Sequence, residues 1–220
     1  LYRHNKNEQV KNILEQLIQI FCDKIVTSNK RSLVNFMDVD WSPKSNVISF
    51  GHDVEASWLL YEAAEIIDNQ SLIEKVKEIT ISLCDAVLEG GIDTDGGLLN
   101  EADKNQIIDS DKDWWPQAEA VVGFLNAYQI TDDVTYLKVA ANSWEFIKSS
   151  LIDTEFGEWF EKVNKNGIPY SKMDKVRSWK GPYHNMRMVF EVISRVEQIT
   201  EHLLVAEDSK SIQLKNQAHD

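Results

Sequence analysis

The sequence predicts an all-α fold, a partial (α/α)6 toroid built of helix hairpins with short β-hairpins in the connections. Three observations carry that expectation. Apolar residues recur at three-and-four spacing in six segments, the period that lays a stripe along one helical face. Two blocks in the middle of the chain repeat one another, each a helix, a polar turn, a second helix and a short extended segment. The chain also opens on the second helix of one pair and closes on the first helix of another, so its hairpins stack side by side. Six hairpins of alternating inner and outer helices close a ring, and this chain supplies about half of them.

The first helix is read from Val10, Ile13, Leu14, Leu17, Ile18, Phe21 and Ile25. The run from Val34 to Trp41 partly alternates and breaks at Ser42-Pro43-Lys44-Ser45-Asn46 before Val47-Ile48-Ser49-Phe50, which predicts a short β-hairpin. In the first repeat a helix from about Asp53 to Ile67 turns at Asp68-Asn69-Gln70-Ser71. A second helix then runs to about Leu88, and Gly96-Gly97-Leu98-Leu99-Asn100-Glu101 closes the unit. In the second repeat the helix from about Pro116 to Tyr128 turns at Thr131-Asp132-Asp133, and its partner runs to about Leu151. Phe156-Gly157-Glu158-Trp159-Phe160-Glu161 closes that unit. Glu55 and Glu119 hold matching places, as do Glu101 and Glu161. A third unit starts at Pro182-Tyr183-His184 and carries Met188, Val189, Val192, Ile193 and Val196 on one face, with no clear partner helix after it. From about Glu207 to Asp220 the chain turns polar and is expected to form a disordered tail. Two apolar edges are left open, which predicts a missing N-terminal segment or self-association through those edges, and the absence of a starting Met favours the former.

Composition excludes several classes. A formal net charge of −13 argues against a nucleic-acid partner, because phosphate binding requires a basic surface that releases counterions. The two cysteines, Cys22 and Cys84, lie among apolar residues without a second metal-type ligand at suitable spacing and read as reduced core residues. No apolar run approaches the roughly 20 residues of a membrane span, and the N-terminus lacks the basic-then-apolar order of a signal peptide. The expected location is the cytoplasm.

Four segments stand out in chain order: Gly51-His52-Asp53-Val54-Glu55-Ala56-Ser57-Trp58-Leu59-Leu60, Gly96-Gly97-Leu98-Leu99-Asn100-Glu101, Asp113-Trp114-Trp115-Pro116-Gln117-Ala118-Glu119-Ala120, and Trp179-Lys180-Gly181-Pro182-Tyr183-His184-Asn185. As a set they resemble the C-terminal half of the N-acylglucosamine 2-epimerase superfamily, and within it the cellobiose 2-epimerase branch. The resemblance covers about residues 1 to 200. It implies that residues 1–206 form the C-terminal half of an epimerase barrel. It also implies a sugar 2-epimerase that acts at the reducing-end C2 of cellobiose-like β-1,4 disaccharides, converting glucose to mannose with no metal and no redox cofactor. The ligand expected is a disaccharide or monosaccharide. The family's N-terminal half contributes a further histidine assigned to ring opening, an arginine and other sugar-binding residues, and no segment of this chain matches them.

The residues themselves support that chemistry. Inverting a carbon next to a carbonyl requires a base on one face and an acid on the other. Histidine serves in both roles because its ordinary pKa of about 6.5 keeps both protonation states available near neutrality. His52 and His184 each stand at the start of a first-of-pair helix, placed to point into the mouth of a toroid. Trp115 and Trp179 resemble the family's sugar-stacking tryptophans, a use that suits a flat indole and the apolar face of a pyranose. Of seven tryptophans, Trp58 and Trp144 fall within helical stripes and read as core, while Trp41, Trp114 and Trp159 are not assigned. Glu55, three residues after His52, and Glu119, four after Trp115, share a helical face with those residues and are positioned to orient an imidazole or bind hydroxyls. Asn100 and Glu101 are polar residues at a loop end with similar potential.

Two other readings compete. An α/α-toroid glycoside hydrolase would use two carboxylates about the glycosidic bond, drawn from Asp53, Glu55, Glu101 and Glu119. An inactive remnant, or a binding and assembly piece, is the reading that the half-length ring supports.

Overall fold

The computed structural model describes residues 2–104, 106–170 and 172–217, with side chains described through residue 205. The polar tail expected from Glu207 falls where the side chains, and from residue 218 the backbone, lie outside the described residues. Among the described residues there are six α-helices, the number the apolar periodicity predicts.

Helix α1 spans Glu8–Ile20, capped by the Asn7 side chain, which accepts from the amides of Gln9 and Val10, and it continues into one π-helical turn at Phe21–Ile25. The first hairpin is α2 (Phe50–Ile67) and α3 (Gln70–Gly90). The second is α4 (Trp114–Thr131) and α5 (Val134–Phe146), with a second π-helical turn at Ile147–Leu151. The last helix, α6, runs over Tyr183–Gln217. Both hairpins turn by the same device. An aspartate in the left-handed region closes the first helix, Asp68 at φ 61° and Asp132 at φ 58°, and the next residue, Asn69 or Asp133, caps the second helix with its side chain. The sequence repeat is thus a repeat of turn chemistry as well as of apolar spacing.

Helices α2 and α4 are buried on nearly every side and form the inner layer, with α4 packed between α2 and α6 and with α3 and α5 outside them. The close approach of α2 to α4 needs Gly123. A Cβ there would lie 2.5 Å from Val54 Cγ2 and 3.0 Å from the Val54 carbonyl oxygen. Cys84 is buried and free behind this contact, its thiol pushed up to about 12 by burial, while Cys22 is free and half-buried.

The connections correct one expectation. The segment Val47–Ser49 (β1) does not pair with Val34–Trp41. It joins Glu101–Asp103 (β2) in antiparallel register, Val47 opposite Asp103 and Ser49 opposite Glu101, and β2 in turn pairs with Gln106–Asp109 (β3). The 34–46 stretch cannot serve as its partner because Phe36, Val39 and Trp41 face solvent, so its alternation has no core to bury against, and Pro43 lacks an amide to donate. It closes on itself instead, through a Met37–Pro43 bridge, the Lys44 amide donating to the Phe36 carbonyl, the Asp38 amide to that of Ser42, and the Trp41 amide to that of Asp38. A second small ladder pairs Lys112–Asp113 (β4) with Lys162–Val163 (β5). Fully buried Lys112 ties these connections together, its Nζ 3.0 Å from Asp93, 2.6 Å from Asp95 and 3.1 Å from the Lys165 carbonyl. Among the described residues no helix is long and apolar enough to cross a membrane.

The two edges of this half-ring are apolar and open. Ile13 and Leu17 of α1 are exposed at one end, and Val189, Ile193 and Val196 of α6 at the other. Gly123→Ala is expected to lower stability by about 1–3 kcal/mol, because the added methyl must push α2 from α4 where a backbone oxygen cannot give way, and this overpacking exceeds the ~1 kcal/mol gained in helix propensity. Thermal unfolding followed by circular dichroism checks it. An unchanged or raised Tm would show that the contact is not tight.

Candidate active site

Helices α2, α4 and α6 present their first turns at the same end of the half-ring, and the site residues lie on their first two turns. His52 and Glu55 are on α2, Trp115 and Glu119 on α4, and His184 on α6. Glu55 and Glu119 are each the sixth residue of their helix, so the match read in sequence holds in three dimensions. The match between Glu101 and Glu161 is offset by one. The first amide of α2, Phe50, donates to the Asn100 carbonyl, whereas the first amide of α4, Trp114, donates to that of Glu161. Both inner helices begin earlier than expected. Pro116 stands in the first turn of α4, where a missing amide costs nothing.

Trp115 packs against both histidines. Its ring centroid is 4.8 Å from that of His52 and 5.5 Å from that of His184. Gly51 permits this, since a Cβ there would sit 2.7 Å from the indole. His52 is exposed, with Nδ1 2.8 Å from the Ser49 hydroxyl. His184 is half-buried, with Nδ1 2.7 Å from Glu119 Oε1. Glu119 is only 1% exposed and is held from three sides. The Trp58 indole donates to Oε2 at 3.0 Å, while His184 and the Arg187 guanidinium, also at 2.7 Å, meet Oε1. Arg187 also forms an ion pair with Glu55. Burial works against the charge on Arg187, but hydrogen bonds and attraction from Glu119 and Glu55 outweigh it and hold its pKa above the usual guanidinium value.

Glu55, Glu119 and His184 each offer one atom within 4.8 Å of the others, a spacing that would suit a cation. Arg187 already contacts both carboxylates and offsets one of their two negative charges, so a guanidinium nitrogen bridges two of the three donors. Beside His52 a cavity of about 670 Å³ opens. Ser49, His52, Glu55 and Glu101 form its polar end, and mostly apolar residues of α1, α2 and the 33–37 segment form most of the rest.

The other expected site residues are placed differently. Asn100 is buried as a joint. It donates to Asp109 at 3.1 Å and Asp113 at 3.0 Å, and accepts from the Asp113 amide at 3.2 Å. Trp179 is 83% exposed on the turn from Arg177 to Lys180, and the structure does not bring it against the histidines or Trp115. Trp114 is buried edge-on to His184, 6.2 Å between centroids. Trp159 is buried, Trp41 exposed and Trp144 half-buried. Asp53, a neighbour of His52 in sequence, is buried away from the cavity, with Oδ1 accepting the Leu33 amide at 2.9 Å and Oδ2 without a partner. Sequence reasoning missed Arg187 altogether and gave Trp58 only a packing role. The signal for both was helical spacing, Arg187 three residues after His184 and Trp58 three after Glu55.

The family model described as N-acylglucosamine 2-epimerase (GlcNAc 2-epimerase) matches residues 1–187. A cellobiose 2-epimerase of Dictyoglomus turgidum is 44% identical over 197 residues, covering 89% of this chain and 50% of that protein. One from Bacteroides fragilis is 40% identical over 196 residues, covering 88% of this chain and 49% of the relative. Among solved structures, a sugar epimerase from a ruminal bacterium superposes with a TM-score of 0.84 at 36% identity, over 88% of this chain and 50% of that one. The cellobiose 2-epimerase of Bacillus thermoamylovorans gives 0.83 at 34% identity, over 88% of this chain and 49% of that one. The chain therefore spans about half the length of these relatives, and its fold is the corresponding part of their α/α toroid.

Burial raises the Asp53 carboxyl to about 8 from an ordinary 3.8, against the opposing pull of the Leu33 amide. The folded state thus keeps a proton that the unfolded chain releases, so this group's contribution is intact below about pH 4 and is lost as pH rises towards 8. Asp53→Asn, which keeps an acceptor for Leu33 and stays neutral, is expected to be about as stable as the parent near pH 4 and several degrees higher in Tm at pH 8. Equal pH dependence of Tm in the two proteins would refute this.

Proposed function

The chain belongs to the N-acylglucosamine 2-epimerase family, and from that premise we propose that it is the half of a sugar 2-epimerase that carries both proton-transfer groups. The substrate proposed is a cellobiose-like β-1,4 disaccharide, epimerised from glucose to mannose at the reducing-end C2, as the names of the relatives suggest. One observation carries the reading: two histidines from different helices both pack against a single indole, Trp115, and one of them, His52, lines an open cavity.

The chemistry then follows from the groups present. After ring opening, one histidine removes the C2 proton, and the C–H electrons form the C1–C2 double bond of an enediolate. The intermediate rotates, and the other histidine delivers a proton to the opposite face. One proton leaves and one returns, so no oxidant or reductant is consumed. Each imidazole is held at Nδ1, His52 by Ser49 and His184 by Glu119, which leaves Nε2 to exchange protons. Trp115 offers an apolar indole face on which a pyranose stacks. Trp179, free on its turn, is available to a ligand from the open side.

Hydrolysis is the weaker reading because three of its four candidate carboxylates are buried away from the cavity or already paired. Asp53 faces away from the cavity and Glu55 and Glu119 are both ion-paired to Arg187, which leaves Glu101 alone where hydrolysis needs two carboxylates. Completion of the ring by its other half is part of the proposal, since the apolar faces of α1 and α6 are open.

The chain, alone and mixed with the N-terminal half of the Dictyoglomus turgidum relative, is incubated with cellobiose in D₂O and followed by NMR. Deuterium entry at C2 and a new, uncleaved disaccharide are expected from the mixture. His52→Asn and His184→Asn are each expected to lower C2 exchange by about 10²–10⁴-fold. Unreduced exchange in either variant would refute the assignment, and released glucose would favour hydrolysis.

A further inference from the structure

Trp58 fills the core between α2, α4 and α6, yet its single polar atom is spent on the site, through the 3.0 Å bond to Glu119 Oε2. We infer that Trp58 is a positioning residue for His184: its indole N–H anchors one oxygen of Glu119 so that the other receives the His184 Nδ1 proton, leaving Nε2 to exchange protons with a substrate. The inference rests on the reading of His184 as an acid/base group.

His184 Nδ1 has two neighbours of opposite kind. Glu119 Oε1 at 2.7 Å accepts a hydrogen bond, whereas Arg187 Nη2 at 3.4 Å donates one. A protonated Nδ1 needs the carboxylate, and a bare Nδ1 needs the guanidinium. These are alternative tautomers, and only the first leaves Nε2 unprotonated. The position of Glu119 decides between them. Arg187 competes for the same Oε1 at 2.7 Å, and a carboxylate free to pivot would turn both oxygens onto the guanidinium fork and release the imidazole. The Trp58 N–H holds Oε2 against that rotation.

The indole is itself immobilised. Trp58 is 1% exposed, with the guanidinium of Arg187 5.1 Å and that of Arg195 5.7 Å from its ring centroid. Arg195 is fixed in turn by Asn126 at 3.1 Å and Gln129 at 2.8 Å on α4. Space-filling alone requires neither the N–H nor its direction.

Imidazole ¹⁵N NMR of the full chain reads the His184 tautomer without turnover, so its outcome is independent of whether the chain epimerises sugars. Two replacements at position 58 are compared with the parent: Trp58→Phe, and β-(3-benzothienyl)alanine, which keeps the indole shape without the N–H. The parent is expected to hold the Nδ1–H tautomer. In both variants the tautomer ratio is expected to shift by at least about tenfold towards Nε2–H, the equivalent of ~1.4 kcal/mol for a lost hydrogen bond to a charged group. An unchanged ratio in the benzothienyl variant overturns the inference even if Trp58→Phe shifts or fails to fold, because shape alone would then suffice. A shifted ratio together with no C2 exchange in the reassembled ring sustains the inference and removes the epimerase reading.

Discussion

A carboxylate withdrawn from water must recover its lost hydration from nearby donors, or it destabilises the chain that buries it. Glu119 is withdrawn almost completely, and its donors come from both neighbouring inner helices: Trp58 from α2, and His184 and Arg187 from α6. One side chain therefore joins the three inner helices at the end where their first turns converge. Removing any donor leaves a buried charge short of a partner. That cost also specifies the arrangement, since all three bonds form only when α2 and α6 are both docked on α4.

The rest of the site follows from that join. With α2 and α6 both docked on α4, the first-turn histidines of α2 and α6 both pack against the first-turn tryptophan of α4. The glycines make the spacing possible. Gly123 lets α2 close on α4 through Val54, and Gly51 gives the Trp115 ring its room. The connections act on the other side of the same geometry. Asn100 ties the β-sheet to the start of α4, and the carbonyls of Asn100 and Glu161 receive the first amides of α2 and α4. The inner helices are thus held at their starts and joined through Glu119, while the apolar edges of the half-ring face outward at α1 and α6.

Helix number, hairpin pairing and the matching places of Glu55 and Glu119 were legible in the sequence because each depends on residues close together along the chain. Apolar period, an aspartate in the left-handed region and a capping Asn or Asp act over one or two turns. The histidines were legible through motif context, and the structure places them together about Trp115. The pairing of Val47–Ser49 was not legible, since its partner Glu101–Asp103 lies more than fifty residues on and the nearer alternating segment is only a decoy without a core.

The sequence by itself determined the helices, their order, the turn chemistry and which residue types stand at the helix starts. The tertiary structure alone decided that Asp53, adjacent to His52, turns away while Arg187, more than a hundred residues off, turns in. It alone decided that a core tryptophan donates to a site glutamate. The physical reason is that these facts depend on direction and desolvation, which arise only when α2, α4 and α6 pack and a buried charge must find its donors across helices.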